Sequence, residues 1–358
     1  MAAQSSEVLG AISRHCAKAL KNLNHEIEIF NYRQSQYLKA SAGSFLKSRI
    51  KSYFGFSPRK IPLFNSLINS LDNRRINKAL LEITSEWTPD ILLVLKGESI
   101  FPATLLKIRN HYGVITANWF TDSVFSPYWK DLAESISSYY DYFFMIDNKE
   151  VLEKVKIESS HVECLPLGCD HDIHKSMKLT GDEIKEYRSD ICFVGTVVPQ
   201  REKILEAMTD FDLSIWGPSV NVFGPWLKEN SGFKKCYRGR EVHGEEVIKV
   251  YNASKIVLGI HGLYGSKLFS VTPRLFEVTG CRVFYLVNEQ PQIYDLYKVG
   301  EEVICYKDTK ELTKLVEFYI QHPKERNLIA KRGQQRAYSE HTYLHRMKKL
   351  IFTIERSK

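Results

Sequence analysis

Several absences narrow this chain before any motif is read. No apolar run in its 358 residues approaches the ~20 residues that span a bilayer, so no transmembrane segment is expected. The opening MAAQSSEVLG has no basic stretch followed by an apolar core. It does not read as a secretory signal, and a cytoplasmic location is the expectation. The seven cysteines, Cys16, Cys164, Cys169, Cys192, Cys236, Cys281 and Cys305, are scattered, odd in number and free of any C-x-x-C. That pattern indicates neither a disulfide framework nor a zinc site, and several of these cysteines sit in apolar runs as small core residues do. His171 and His174 in HDIH lack further ligands nearby and read as solvated loop residues, so no metal is expected. G-x-G-x-x-G, G-x-x-x-x-G-K-[ST] and G-x-S-x-G are all missing, which removes the common signatures of dinucleotide, phosphate-loop and nucleophile-elbow sites. There is no short internal repeat and no low-complexity tract.

What is present is the composition of a soluble globular protein, 44% hydrophobic and 26% charged. The length suits two domains of ordinary size. The net charge of +8 favours an anionic ligand or surface. Lys47 to Lys60, KSRIKSYFGFSPRK, concentrates that charge among aromatics. It reads either as a solvated loop and helix end or as a docking patch for an anionic acceptor or membrane surface. Nothing in the sequence fixes an oligomeric state.

Strand and helix patterns alternate. Residues 8–23 carry a helical stripe of Leu9, Ile12, Cys16 and Leu20, Glu26–Phe30 is a short strand, and 33–86 are helical with breaks at Gly55 and Pro58. Buried strands follow at 91–95, 114–120, 142–146 and 162–167, with helices at 102–110 and 148–155 between them. Residues 168–190 are polar and lack a buried strand, so they read as a linker. A second series runs through strands at 191–195, 213–216, 256–260 and 302–305 and helices near 201–208 and 245–253. The expected fold class is therefore α/β, with two Rossmann-like domains of mainly parallel sheet facing a cleft. The domains are expected at 1–168 and 191–340, with the linker at 169–190 and a C-terminal helix at 341–358. MAAQSSEV has too few apolar residues for a convincing first strand, so either the given sequence lacks that strand or the first sheet is reduced there.

The stretch VTPRLFEVTGCRVFYL, 271–286, organises the second domain. Thr272 and Pro273 are expected to start a helix, Gly280 to end it in a left-handed conformation, and Cys281–Leu286 to be a buried strand. Arg274 and Glu277 lie three residues apart on one helix face. That pair is either a surface ion pair or a cation for phosphate beside an acceptor for sugar hydroxyls. Gly195 and Thr196 follow one strand and Arg201 opens the next helix, where small residues and a helix N-terminus would receive a phosphate. Trp216 and Gly217 follow another strand, with the indole placed to wall a base. Tyr251, Asn252 and Lys255 end the following helix. On the first domain, Lys96, Glu98 and Asp122 lie at strand ends. Asp122 is a candidate for orienting or deprotonating a hydroxyl, or else a capping aspartate before Ser123.

Taken together, several stretches resemble one family. DILLVLKGE (90–98), NWFTDS (118–123), YDYFFMID (140–147), VECLPLGCDHDIH (162–174), CFVGTVVPQRE (192–202), LSIWGPS (213–219), TPRLFEVTGCRVFYL (272–286), VGEEVICYKDTKEL (299–312) and HPKERNLIAKRGQQRAYSEHTYLHRM (322–347) occur in the order of the CgeB-like branch of the group-1 glycosyltransferases. The resemblance implies a GT-B fold whose second domain binds a nucleotide-diphosphate sugar and whose first binds the acceptor. It also implies a C-terminal helix that returns to the first domain. By it, Glu277 matches the ribose-binding carboxylate, and Arg201 and Arg274 match cations facing the diphosphate. These would stabilise the departing diphosphate without a metal or other cofactor. One departure stands out: the family often carries E-x7-E, and eight positions before Glu277 stands Phe269. The readings the sequence supports are a metal-independent glycosyltransferase acting on a glycan, protein or other hydroxyl acceptor, a non-catalytic relative that binds sugar nucleotide or glycan, and a DNA-modifying glycosyltransferase. The last makes nucleic acid a possible but unfavoured partner, given the acidic residues interspersed along the chain.

Overall fold

The computed structural model describes residues 2–3, 11–32, 62–125, 127–218, 232–261 and 271–357. The basic stretch 47–60 and Phe269 lie outside them. Residues 1–165 with 347–358 form one compact unit and 166–346 another.

The first unit holds a six-stranded sheet, every recorded pairing in it parallel. Its strands are β1 (Ala2–Ala3), β2 (Phe30–Asn31), β3 (Ile91–Leu95), β4 (Ile115–Phe120), β5 (Tyr142–Met145) and β6 (His161–Cys164), in the spatial order β2-β1-β3-β4-β5-β6. β3 is a continuous apolar run because helices cover both faces of such a sheet. The helix Pro102–Tyr112 joins β3 to β4; it starts on a proline and stops at Gly113, whose φ of 68° lets its N–H reach back to Arg109 O. The core packs Ile76 and Leu80 of the helix Pro62–Trp87 against Leu92, Val94, Leu105 and Phe143. The first strand, Ala2–Ala3, is two residues long.

The second unit holds β7 (Ser189–Val194), β8 (Leu213–Trp216), β9 (Ser254–Gly259), β10 (Tyr285–Asn288) and β11 (Ile304–Tyr306), all parallel, in the order β11-β10-β9-β7-β8. Both sheets therefore reverse direction beside their first strand. In open parallel sheets the crevice at the C-terminal ends of the strands flanking that reversal receives ligands. For the second unit this means the ends of β7 and β9.

Two expectations change. Residues 169–190 fold onto the second unit instead of bridging as a linker. Met177 N–H donates to Asn252 Oδ1 at 2.9 Å, and Thr180 and Glu183 form a reciprocal cap on the helix Gly181–Tyr187. Polar caps of this kind order a segment without an apolar strand. His174 is accordingly buried, its Nδ1 accepting from Asp170 N–H at 2.9 Å, while His171 is half exposed beside Asp172. The helix Arg274–Gly280 has Pro273 at its N-cap position, and Thr272 makes no side-chain cap. Gly280 is the last helical residue and the left-handed residue is Arg282, at φ 58°. Gly280 is small because a Cβ there would lie 3.1 Å from His174 O and 3.3 Å from Cys169 Cβ. The strand expected from Cys281 begins at Tyr285; before it Cys281, Val283 and Phe284 are buried and Arg282 is exposed.

Candidate functional site

The site in the second unit starts from two glycines. Gly195, directly after β7, has φ +151°, and a Cβ on it would sit 3.1 Å from Arg274 Nη2. Gly217, directly after β8, approaches so closely that its Cβ would lie 2.3 Å from Gly195 O. Only glycine permits both approaches. They leave the Arg274 guanidinium packed against the backbone at the end of β7.

Arg201, on the helix Pro199–Glu206, is buried at the same end. Its Nη1 donates to Thr196 O at 2.9 Å and its guanidinium lies 5.6 Å from the Phe193 ring centroid. The Arg274 guanidinium and the Tyr251 hydroxyl lie close enough to influence each other's charge. Tyr251 stands on the helix Glu245–Ala253, whose side chains tilt toward its N-terminus and so toward this end of the sheet. Glu277 is half-buried, one turn along the helix from Arg274. Burial and Glu277 hold the Tyr251 hydroxyl well above its ordinary pKa, against the pull of Arg274, so Tyr251 is neutral.

His261 follows β9 after Ile260 and feels both cations. Its backbone N–H donates to Asn288 Oδ1 at 2.6 Å and its carbonyl accepts from Asn288 Nδ2 at 3.0 Å. Its ring Nδ1 accepts from Thr272 N–H at 3.0 Å, so the proton belongs on Nε2, which donates to Tyr285 Oη at 3.0 Å. Burial first, and then Arg274 and Arg201, push its pKa down to about 3. The imidazole is therefore neutral at physiological pH and adds no charge to the two guanidiniums. The result is a positive site at the sheet's reversal point, with the Glu277 carboxylate one helical turn from Arg274. Such a site suits a diphosphate ester carrying a hydroxylated sugar.

The structure brings together Gly195, Thr196, Arg201, Gly217, Tyr251, Thr272, Arg274 and Glu277 and leaves out three other candidates. Trp216 is buried, with Tyr187 at 5.7 Å and the Arg240 guanidinium at 5.0 Å from its ring, so it packs the sheet and walls no open space. Asn252 ties Met177 and Lys175 to the helix before β9. Lys255 pairs with Asp190 at 2.6 Å. Both precede or open β9 and lie at the N-terminal edge of the sheet, opposite the strand ends that carry the arginines. His261, Tyr285 and Asn288 are the residues that sequence reasoning missed. The available signal was a histidine ending an apolar strand, Ile256–Ile260, directly before a glycine.

In the first unit, Lys96, Glu98 and Asp122 do gather at the ends of β3 and β4. Lys96 has φ +70°, an uncommon backbone for a lysine, held by Asn118 Nδ2 donating to its carbonyl at 2.9 Å. Its Nζ lies 2.7 Å from Asp122 Oδ2 and 3.4 Å from the Trp129 ring centroid. Glu98 accepts from the Tyr32 hydroxyl at 3.2 Å. The capping role considered for Asp122 belongs to Asp147, which is fully buried and takes Ser123 Oγ–H at 2.7 Å and Val124 N–H at 3.3 Å. Among the described residues no group of three or more His, Cys, Asp or Glu is placed to hold a metal, and no helix is long and apolar enough to cross a membrane.

Known proteins resemble this chain in sequence and in fold. Residues 200–351, which hold Arg201, His261, Arg274 and Glu277, match the family model described as glycosyl transferase-like. The spore protein CgeB of Bacillus subtilis is 20% identical over 278 residues, 71% of this chain and 78% of that protein. The chain resembles the CgeB-like group-1 glycosyltransferases. Among solved structures, a glycosyltransferase from Rickettsia africae superposes with a TM-score of 0.62 at 12% identity over 99% of this chain and 96% of its own. HepE of Anabaena, in complex with UDP and glucose, gives 0.60 at 10% identity over 95% and 88%. Sucrose-phosphate synthase of Thermosynechococcus elongatus gives 0.60 at 12% identity over 80% and 79%. The fold is thus GT-B, and fold and CgeB-like resemblance together support glycosyl transfer.

Proposed function

We propose that this protein transfers a hexosyl group from a nucleotide-diphosphate sugar to an acceptor hydroxyl, without a metal. The observation that carries the proposal is the pair of guanidiniums, Arg201 and Arg274, at the reversal point of the second sheet, with Glu277 one turn away. The two cations would meet the diphosphate and stabilise its negative charge as the glycosidic bond breaks, when that charge grows. Glu277 would take the vicinal ribose hydroxyls on its two carboxylate oxygens. Thr272 and the Gly195–Thr196 backbone would complete the donor pocket. The UDP and glucose held by HepE are the kind of donor components this reading requires.

The first unit would take the acceptor. Lys96 fixes one oxygen of Asp122, which is one-third exposed, and leaves acceptor capacity for an incoming hydroxyl. Asp122 would orient that hydroxyl and draw off its proton. Phe269, standing where the family often has the first glutamate of E-x7-E, favours a second reading, a relative that binds the donor without turning it over.

Release of nucleoside diphosphate from a panel of nucleotide sugars separates these readings. Turnover by the wild type, lost in Asp122→Asn while nucleotide binding is kept, supports transfer. Donor binding with no release under any acceptor supports the non-catalytic relative.

A further inference from the structure

The helix that carries Arg274 and Glu277 does not fix its own place. It is seven residues long and no side chain caps its start. A helix of about two turns is not stable in isolation, so its position is set by what holds it. One neighbouring segment, the end of β10 with the helix Pro291–Leu296 and Tyr297, holds it at both ends. Ahead of the helix, buried Gln292 accepts from Val271 N–H on Oε1 at 2.8 Å. Asn288 works beside it through His261, whose Nδ1 takes Thr272 N–H. At the helix C-terminus, Tyr297 Oη lies 2.9 Å from Thr279 Oγ1. Thr279 has one hydroxyl proton and Leu275 O lies 2.6 Å away to take it, so Tyr297 is the donor. Burial raises the Tyr297 pKa, so the hydroxyl keeps the proton it donates. The holding segment is itself anchored. Arg346 Nη2 can only donate to His341 Nδ1, at 3.0 Å, so the imidazole proton is on Nε2, which donates to Leu296 O at 2.7 Å.

We infer that Gln292 and Tyr297 are positioning residues for the donor site. Both are only 3% exposed, and neither reaches a ligand itself. They act through the helix. Val271 lies three residues before Arg274 and Thr279 two residues after Glu277, so each functional side chain stands within one turn of a hold. A single hold would leave the helix free to pivot about it. Two holds at opposite ends fix its rotation and its rise, and with them the directions of the guanidinium and the carboxylate. The placement matters because a shift of about 1 Å at a functional contact costs up to about a hundredfold. The inference rests on the donor reading proposed above. It adds that the geometry of that site is set by a segment, 288–297, whose side chains lie behind the helix and not on the ligand.

The test uses the full chain with Tyr297→Phe, which removes one hydroxyl and keeps the ring beside Phe276, and with Gln292→Leu, which takes that acceptor from Val271 N–H. Calorimetry with UDP, GDP and ADP finds the diphosphate that the wild type takes. Each variant should then bind it about tenfold more weakly, at a temperature well below both Tm values. On a Glu277→Gln background, Tyr297→Phe should cost less than about threefold, because the charge it positions is already gone. The full loss in both backgrounds makes the two residues independent and overturns the inference. So does wild-type affinity in Tyr297→Phe, or a lowered Tm with unchanged affinity, since both describe a packing residue. Hydrogen exchange without ligand separates the hold from the donor reading. In Gln292→Leu, exchange at the amides of Leu275, Phe276 and Glu277 should rise about tenfold against those of β7. Unchanged exchange overturns the hold whether or not a diphosphate binds. Faster exchange in a protein whose wild type takes none of the three diphosphates keeps the hold but overturns its role in the donor site.

Discussion

Replacing His261 by Gln tests whether the site is held together around a neutral imidazole. Glutamine can accept from Thr272 N–H and donate to Tyr285 Oη but does not titrate. In the native chain the pKa of His261 is pushed down to about 3 by burial, Arg274 and Arg201, against an ordinary value of 6.5. Above pH 6.5 the group is neutral in both folded and unfolded states and contributes no pH dependence. As pH falls below 6.5 the unfolded chain binds a proton that the folded chain refuses, so stability is lost until the folded group titrates near 3. Between pH 6.5 and pH 4 the refusal is worth up to 2.5 pH units, or about 3 kcal/mol. Urea unfolding followed from pH 7 to pH 4 should therefore show the wild type losing about 3 kcal/mol more than His261→Gln. Carboxylates shared by both proteins cancel in that difference. His341, pushed down to about 4 by burial and Arg346, remains in both and leaves a common acid limb. Parallel acid limbs in the two proteins would refute a buried neutral His261 and with it the electrostatic account of the pocket.

Two more predictions concern the same strand ends. Gly195→Ala should lose donor affinity at least tenfold while the protein still folds, because its Cβ would press on the Arg274 guanidinium from a backbone that alanine avoids. Calorimetry with a nucleoside diphosphate checks it, and wild-type affinity would show that Arg274 is not held by that contact. Arg201→Ala should weaken the same binding by about 1.5–3 kcal/mol, the worth of a charge-assisted contact, with free sugar unaffected.

How much of this was legible differs between fold and site. The apolar runs of β3 and β9 announced parallel strands, because a strand covered on both faces has no polar side to hide. The three-residue spacing of Arg274 and Glu277 was enough to put them on one helix face. The His261–Tyr285 pair was not legible: the two residues stand 24 apart and meet only because β9 and β10 are neighbours. Trp216, Asn252 and Lys255 were misplaced for a related reason. Adjacency to a strand does not say which ring face is already covered, as Tyr187 and Arg240 cover Trp216. Nor does it say which end of the sheet a helix terminus reaches. The role of Gly280 was misjudged because a glycine at a helix end serves equally for a left-handed turn or for close packing, and here His174 and Cys169 decide it.

The central claim is that Glu277 and the two arginines form a nucleotide-diphosphate pocket, and titration calorimetry of a nucleoside diphosphate with wild type and Glu277→Gln tests it most directly. The substitution preserves size and one acceptor oxygen but removes the charge and the second acceptor. The account predicts clearly weaker binding to the variant with unchanged thermal stability. Equal affinities, with a loss of about 0–1 kcal/mol of stability, would make Glu277 a surface partner of Arg274 and contradict the donor site.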